Sequence, residues 1–191
     1  TPSINDLFNV HVFFGNASMN NKLRAVRAFN SQLDRVRFDL VTKYAARAAA
    51  EEIKAQDLPA NIRDTIEHYP YAERFIAHGK EADQRRFLTV PTRLPGSHSW
   101  HEQFGNSALV FSAHHDDAEI AAAATITELT SRKASVHNLV MTTGENGVVG
   151  SAPWIEKYLL RSAETIKAAE QTGAVPILLS LMHDYPGERP S

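Results

Sequence analysis

Ala108-Leu109-Val110-Phe111-Ser112-Ala113-His114-His115-Asp116-Asp117-Ala118-Glu119 is the stretch on which the fold turns. Its first part, Ala108–Ser112, is a nearly continuous apolar run, the pattern of a buried strand. Helical spacing follows over about Asp117–Arg132, with Ala121–Ala124 giving a small-residue face suited to close packing on a sheet. Val136–Met141 reads as a second strand and Trp154–Thr172 as a second long helix. Gly173 stands just past that helix, where a left-handed residue commonly ends one. Val175–Leu181 completes the alternation as a third strand. Strand-helix-strand-helix-strand predicts parallel strands joined by right-handed crossovers. The expected fold is therefore α/β: a three-layer α/β/α, doubly wound, mostly parallel, Rossmann-like sheet.

Toward the N-terminus the pattern changes. Leu7–Phe14 has the β-branched and aromatic content of a short strand, ended by Gly15-Asn16. From Met19 to about Gln56, Leu23, Val26, Phe29, Leu33, Val36, Leu40 and Tyr44 recur at three- and four-residue steps, predicting one face of a helix or helix pair. Pro59 interrupts it, and short helical pieces are expected around Ile62–His68 and Ala72–His78. Arg86–Val90 reads as a strand; Pro91, Pro95, Gly96 and Gly105 then mark an irregular segment. The expected organisation is a helix-rich part over 1–80, a connector over 81–107 and an α/β part over 108–191.

Composition narrows the function. With 43% hydrophobic and 22% charged residues among 191, the chain can bury a real core and is not expected to be disordered. A net charge of −2 lacks the basic surplus of a nucleic-acid binder. No apolar run approaches the length of a membrane span. The absence of cysteine excludes disulfides, thiolate metal sites and cysteine nucleophiles, and leans toward a cytoplasmic setting. The nine histidines and the carboxylates beside them are left to carry metal chemistry.

The sharpest cluster is His114-His115-Asp116-Asp117, placed where the strand ends and the helix begins. In open parallel sheets that carboxyl edge is where ligands bind. Adjacent acids there repel one another unless a cation sits nearby. Nitrogen and oxygen donors without sulfur suit zinc or another divalent ion. A helix cap by Asp116 or Asp117 accounts for one acid but not for the whole cluster.

Val110–Ile120 resembles the opening Ala-His-Pro-Asp-Asp motif of the PIG-L/LmbE-type zinc-dependent de-N-acetylases. The resemblance runs on through Val136–Met141 and Thr142-Thr143-Gly144-Glu145, similar to the family's Thr-x-Gly-Asp/Glu turn. It takes in Arg161 and Glu164, similar to an Arg-x-x-Glu pair, and reaches Gly173-Ala174-Val175. His115 stands where the family has Pro, which predicts some loss of rigidity and an extra imidazole at the mouth. The first part resembles the family's other end. Lys22-Leu23-x-Ala25-Val26-x-Ala28-Phe29-x-Ser31-Gln32 is similar to a helix near its C-terminus, and Tyr71-Ala72-Glu73-Arg74-Phe75 to its closing element. Head and tail thus stand in reversed order, so the chain resembles a circular permutant or the junction of two such domains. In the latter case its pieces would seek partners in a homo-oligomer.

The resemblance implies that His114 and Asp117 hold Zn2+ and that Asp116 is the general base of an N-deacetylation. It also implies a small N-acetylated sugar as substrate. Arg161 would orient that substrate through its planar fork; a helix-surface ion pair with Glu164 is the equal alternative. Glu119 is read either as a supporting partner or as a first-turn acid favoured by the helix dipole. The family's third ligand comes from a His-x-x-His segment between head and tail, absent at the matching place. His98-Ser99-Trp100-His101 has that spacing, and His98 or His101 is the candidate third ligand, though a polar linker is the plainer reading. His11, His68, His78, His137 and His183 read as surface or structural residues. The leading function is a zinc amidohydrolase removing acetyl from an N-acetylglucosamine-containing glycoconjugate or related metabolite. Its alternative is a non-catalytic metal- or sugar-binding descendant. A metal phosphoesterase would want a second ligand cluster, which the sequence lacks.

Overall fold

The computed structural model describes residues 10–33, 36–76, 86–90 (backbone) and 105–181. His78, His98, His101 and His183 lie outside the described residues, as do most of the connector and the start of the Leu7–Phe14 stretch. The elements in chain order are β1 (Val10–Phe14), α1 (Asn16–Arg27), α2 (Asn30–Leu33), α3 (Phe38–Lys54), α4 (Ala60–Ile66), β2 (Tyr71–Phe75) and β3 (Arg86–Val90). They continue with β4 (Ser107–Ser112), α5 (Asp117–Ser131), β5 (Ser135–Thr142), α6 (Trp154–Thr172) and β6 (Val175–Leu181).

The β4-β5-β6 sheet is parallel throughout, as the alternation predicts. Its strands stand in sequence order, so two right-handed crossovers moving the same way put α5 and α6 on one face. Val136 and Val140 turn to that face and are buried. The opposite face carries Leu109, Phe111 (66% exposed), Met141, Ile177, Leu179 and Leu181 in the open. The described residues therefore supply one helical layer on this sheet, and the second layer of a doubly wound arrangement is not among them. Gly173 has φ +76°, the left-handed conformation expected of the residue that stops α6.

A second sheet has the order β2-β1-β3, with β1 antiparallel to β2 and parallel to β3. β1 is buried along its length. Val10, Val12 and Phe14 join a core with Met19 and Leu23 of α1 and Ala118, Ala122 and Ile126 of α5. Phe13 points the other way, onto Ala49, Ala50 and Ile53 of α3 and Ile66 of α4. Each large apolar side chain fully buried in this way contributes about 1.5–3 kcal/mol.

Two expectations are corrected. Ala72–His78 is not helical over its described part: Tyr71–Phe75 is a strand. Its Ala, Glu and Arg favour helix, but pairing with β1 overrides propensity. The apolar stripe from Leu23 to Tyr44 is also not one face. Leu23, Val26 and Phe29 are buried, whereas Val36, Leu40 and Tyr44 are exposed. α1 ends before Ala28, and α3 starts with a new rotational phase, burying Thr42, Ala46, Ala49 and Ile53.

Charged residues join the two parts of the chain. Glu73 of β2 meets Lys22 of α1 at 2.5 Å, both buried. The same carboxylate accepts hydrogen bonds from the backbone amides of Ala124 (3.0 Å) and Thr125 (2.9 Å) and from the Thr125 hydroxyl (2.6 Å), all in α5. Asp39, at the start of α3, pairs with Arg37 and with Arg27 of α1. The Arg37 hydrogen bond chiefly holds its carboxyl down at about 2.

Candidate active site

The loop from Ser112 to α5 is fixed first by its backbone. The Ala113 carbonyl accepts hydrogen bonds from the Thr142 amide (3.2 Å) and hydroxyl (2.7 Å) at the end of β5. The next four side chains then diverge. His114 and Asp117 stay half exposed at the cavity, with Nδ1 of one 3.6 Å from Oδ2 of the other. Asp117 Oδ2 also accepts the His114 backbone N–H at 2.9 Å. Asp116 occupies the cap position of α5 but makes no side-chain cap bond, so capping does not account for it. Its Oδ2 lies 3.2 Å from an Arg161 terminal nitrogen.

Arg161 supplies the cation that adjacent acids require. It is 2% exposed, and its other terminal nitrogen donates to Glu164 Oε2 at 3.1 Å. The expected Arg161–Glu164 pair is present, but buried rather than on the helix surface. Phe29 lies under the guanidinium, 5.1 Å from ring centroid to Cζ. Glu164 is completed by the Ser31 amide (2.8 Å) and hydroxyl (2.7 Å), and Gln32 Nε2 reaches the Gly147 carbonyl at 2.9 Å. Ser31, Gln32 and Phe29 belong to the sequence stretch that resembles a family tail. The motif contained them, but no chemical role could be read for them from spacing alone.

His115 is not an extra imidazole at the mouth. It is 0% exposed, with Nδ1 2.6 Å from the Thr165 hydroxyl and Nε2 3.0 Å from the Thr143 carbonyl. The loop gains two anchors there instead of losing rigidity. Burial, with the Arg161 charge, pushes this imidazole down to about 4. An unfolded imidazole near 6.5 takes up a proton that the folded one resists, so the contribution of His115 to stability falls as pH drops from about 6.5 to 4. Between pH 7 and pH 5 the urea midpoint of the wild type should therefore drop relative to that of His115→Gln, the opposite contribution of Glu119 being common to both. An equal change in both proteins would remove His115 as the cause.

Glu119 is buried, and its Oε2 has no hydrogen-bond partner among the described residues. Burial pushes its carboxyl up to about 8, and Asp116 and Asp117 add to the shift. Gly144 closes the turn after β5 at φ +67°. A Cβ there would stand 2.5 Å from the His115 ring, so both backbone and space demand glycine. Thr143 hydrogen-bonds Glu145 across the same turn. The cavity, about 410 Å3, is lined by Gln32, Phe38, His114, Asp116, Asp117, Ile120, Gly144, Asn146, Gly147 and Arg161. That volume suits a small molecule.

The sequence model of the family described as PIG-L: GlcNAc-PI de-N-acetylase matches residues 109–188, which contain this loop, its helix and Arg161. Residues 109–188 are thus similar to the PIG-L family. Among solved structures, the chain is similar to an N,N'-diacetylchitobiose deacetylase from Pyrococcus horikoshii, at 24% identity and TM-score 0.39, covering 40% of this chain and 30% of that one. It is also similar to GalB, the 4-carboxy-2-hydroxymuconate hydratase of Pseudomonas putida KT2440, at 28% identity and TM-score 0.39, covering 44% of this chain and 37% of that one. The chain thus spans well under half the length of either. No curated protein matches it. Among the described residues, no helix is long and apolar enough to cross a membrane.

Tetrahedral zinc with bonds of about 2.0–2.1 Å holds neighbouring donors roughly 3.3–3.4 Å apart. The 3.6 Å between His114 Nδ1 and Asp117 Oδ2 is close to that bite, so the pair fits. No group of three His, Asp or Glu side chains suited to a metal occurs among the described residues.

Proposed function

We propose that this chain is a PIG-L-type de-N-acetylase acting on an N-acetylglucosamine-containing glycoconjugate or related small metabolite. The observation that carries the reading is the free-facing Asp116 carboxylate, held by Arg161 on the cavity wall inside the PIG-L segment. His114 and Asp117 would hold a divalent ion, zinc being suited to the donors. When bound, that ion supplies Lewis acidity toward the acetamide carbonyl.

The remaining chemistry belongs to the chain's own groups. Asp116 accepts the proton of the attacking water and is the group placed to return it to the departing amine. Arg161 orients Asp116 and balances its charge rather than reaching for substrate, since its fork is occupied by two carboxylates. Phe38 and Ile120 give the cavity an apolar wall; Gln32 and Asn146 give it amide groups suited to sugar hydroxyls. The parts over 1–80 and 108–191 serve as tail and head of one permuted domain. The Lys22–Glu73–Thr125 and Ser31–Glu164 contacts support this.

One observation favours the second reading, a metal- or sugar-binding descendant without turnover: among the described residues two candidate donors stand where catalytic zinc normally has three. A joint measurement separates the two. Calorimetric zinc uptake, abolished in the His114→Ala, Asp117→Ala double variant, together with acetate release from N-acetylglucosamine conjugates, is expected for the enzyme. Uptake without acetate release would favour the binding module. Uptake unchanged in the double variant would sink the ligand assignment itself.

A further inference from the structure

We propose that His115 is the positioning residue of this site: an imidazole protonated at Nε2 that clamps the loop carrying His114, Asp116 and Asp117 between the end of β5 and α6. The proposal rests on the reading of those three residues given above. The tautomer follows from the partners. The Thr143 carbonyl can only accept, so the ring proton sits on Nε2. Nδ1 is then an acceptor, and the Thr165 hydroxyl donates to it across 2.6 Å. That hydroxyl also lies 3.0 Å from the Arg161 carbonyl, but it has one proton, and the shorter contact takes it.

Direction comes from two adjacent pins. His115 is tied to Thr165, and Asp116 to Arg161, exactly one helical step of four residues earlier on α6. Neighbouring residues of the loop are thereby fixed to successive turns of one rigid helix. Peptide geometry leaves the loop little freedom once two consecutive side chains are held. His114 on one side and Asp117 on the other are thus left facing the cavity. From behind, Gly144 gives the ring a bare backbone to lie against. A flat side chain with a donor at one end and an acceptor at the other is what this gap accepts.

The test uses the full chain and zinc alone as probe. His115→Phe keeps a flat ring without the hydrogen bonds, and Thr165→Val removes one hydroxyl at constant shape. His115→Gln keeps a donor within reach of Thr143. Supporting partners of metal ligands are typically worth 10–100-fold in affinity. Zinc affinity measured by calorimetry should fall by about that factor in His115→Phe, less in Thr165→Val, and recover in part in His115→Gln. Near-wild-type affinity in folded His115→Phe and Thr165→Val would overturn the proposal. A second readout does not need the metal. Long-range nitrogen–proton correlation should show His115 as the Nε2–H tautomer; an Nδ1–H or averaged ring would also overturn it. Should the wild-type chain take up no zinc, the ligand reading fails, and the tautomer spectrum alone decides whether the clamp exists.

Discussion

Asp116→Asn is expected to lower acetate release by about 10²–10⁴-fold while zinc uptake stays near wild type. Asparagine has the same shape, and its carbonyl oxygen can still accept from Arg161, now 3.2 Å from the carboxylate. The loop therefore keeps its anchor. What is lost is the ability to take a proton from water, because an amide oxygen is far too weak a base. The expected pattern is a fall in kcat with little change in KM, as befits a group used in the chemical step. If Asp116→Asn lost its zinc instead, the roles of Asp116 and Asp117 would be exchanged. If turnover persisted, the base would lie elsewhere.

Arg161→Leu is expected to destabilise the fold by about 3–5 kcal/mol, read as a lower urea midpoint. The guanidinium is buried between Asp116 and Glu164 and lies over Phe29. Removing it leaves the buried Glu164, and Asp116 on the cavity wall, without their counter-charge. Ser31 still serves Glu164, so part of that acid's hydrogen bonding survives. Arg161→Lys should recover only part of the loss, since an ammonium is a point charge and cannot fork to two carboxylates. A stability for Arg161→Leu within about 1 kcal/mol of wild type would mean that Glu164 is satisfied by Ser31 alone.

What the sequence disclosed follows from the physics of each signal. β4, α5, β5, α6 and β6 were legible because apolar runs, helical spacing and Gly173 act locally. β2 was not, since Ala72, Glu73 and Arg74 favour helix and only pairing with β1 makes them a strand. Glu73 compounds the difficulty: a carboxylate beside Arg74 reads as surface, yet Lys22 and two amides of α5 hold it inside. In the site, His114, Asp116 and Asp117 could be singled out because neighbouring acids at a strand end demand a partner. That this partner is Arg161, far along the chain, is a tertiary fact. So is the burial of His115, for nothing in its neighbours' polarity distinguishes an inward ring from an outward one. His98 and His101 lie outside the described residues.

The Ser31–Glu164 bond joins residues 133 positions apart, and Glu73 reaches Thr125 across 52. Closing so long a loop is an entropic expense, but a slowly growing one: each doubling of its length adds only about 0.6 kcal/mol. Buried carboxylate contacts of this kind outweigh such an increment easily. The polymer in between is therefore nearly free to lengthen, shorten or be spliced. What holds the cavity wall in place is the meeting of surfaces, and it is indifferent to which piece the ribosome makes first.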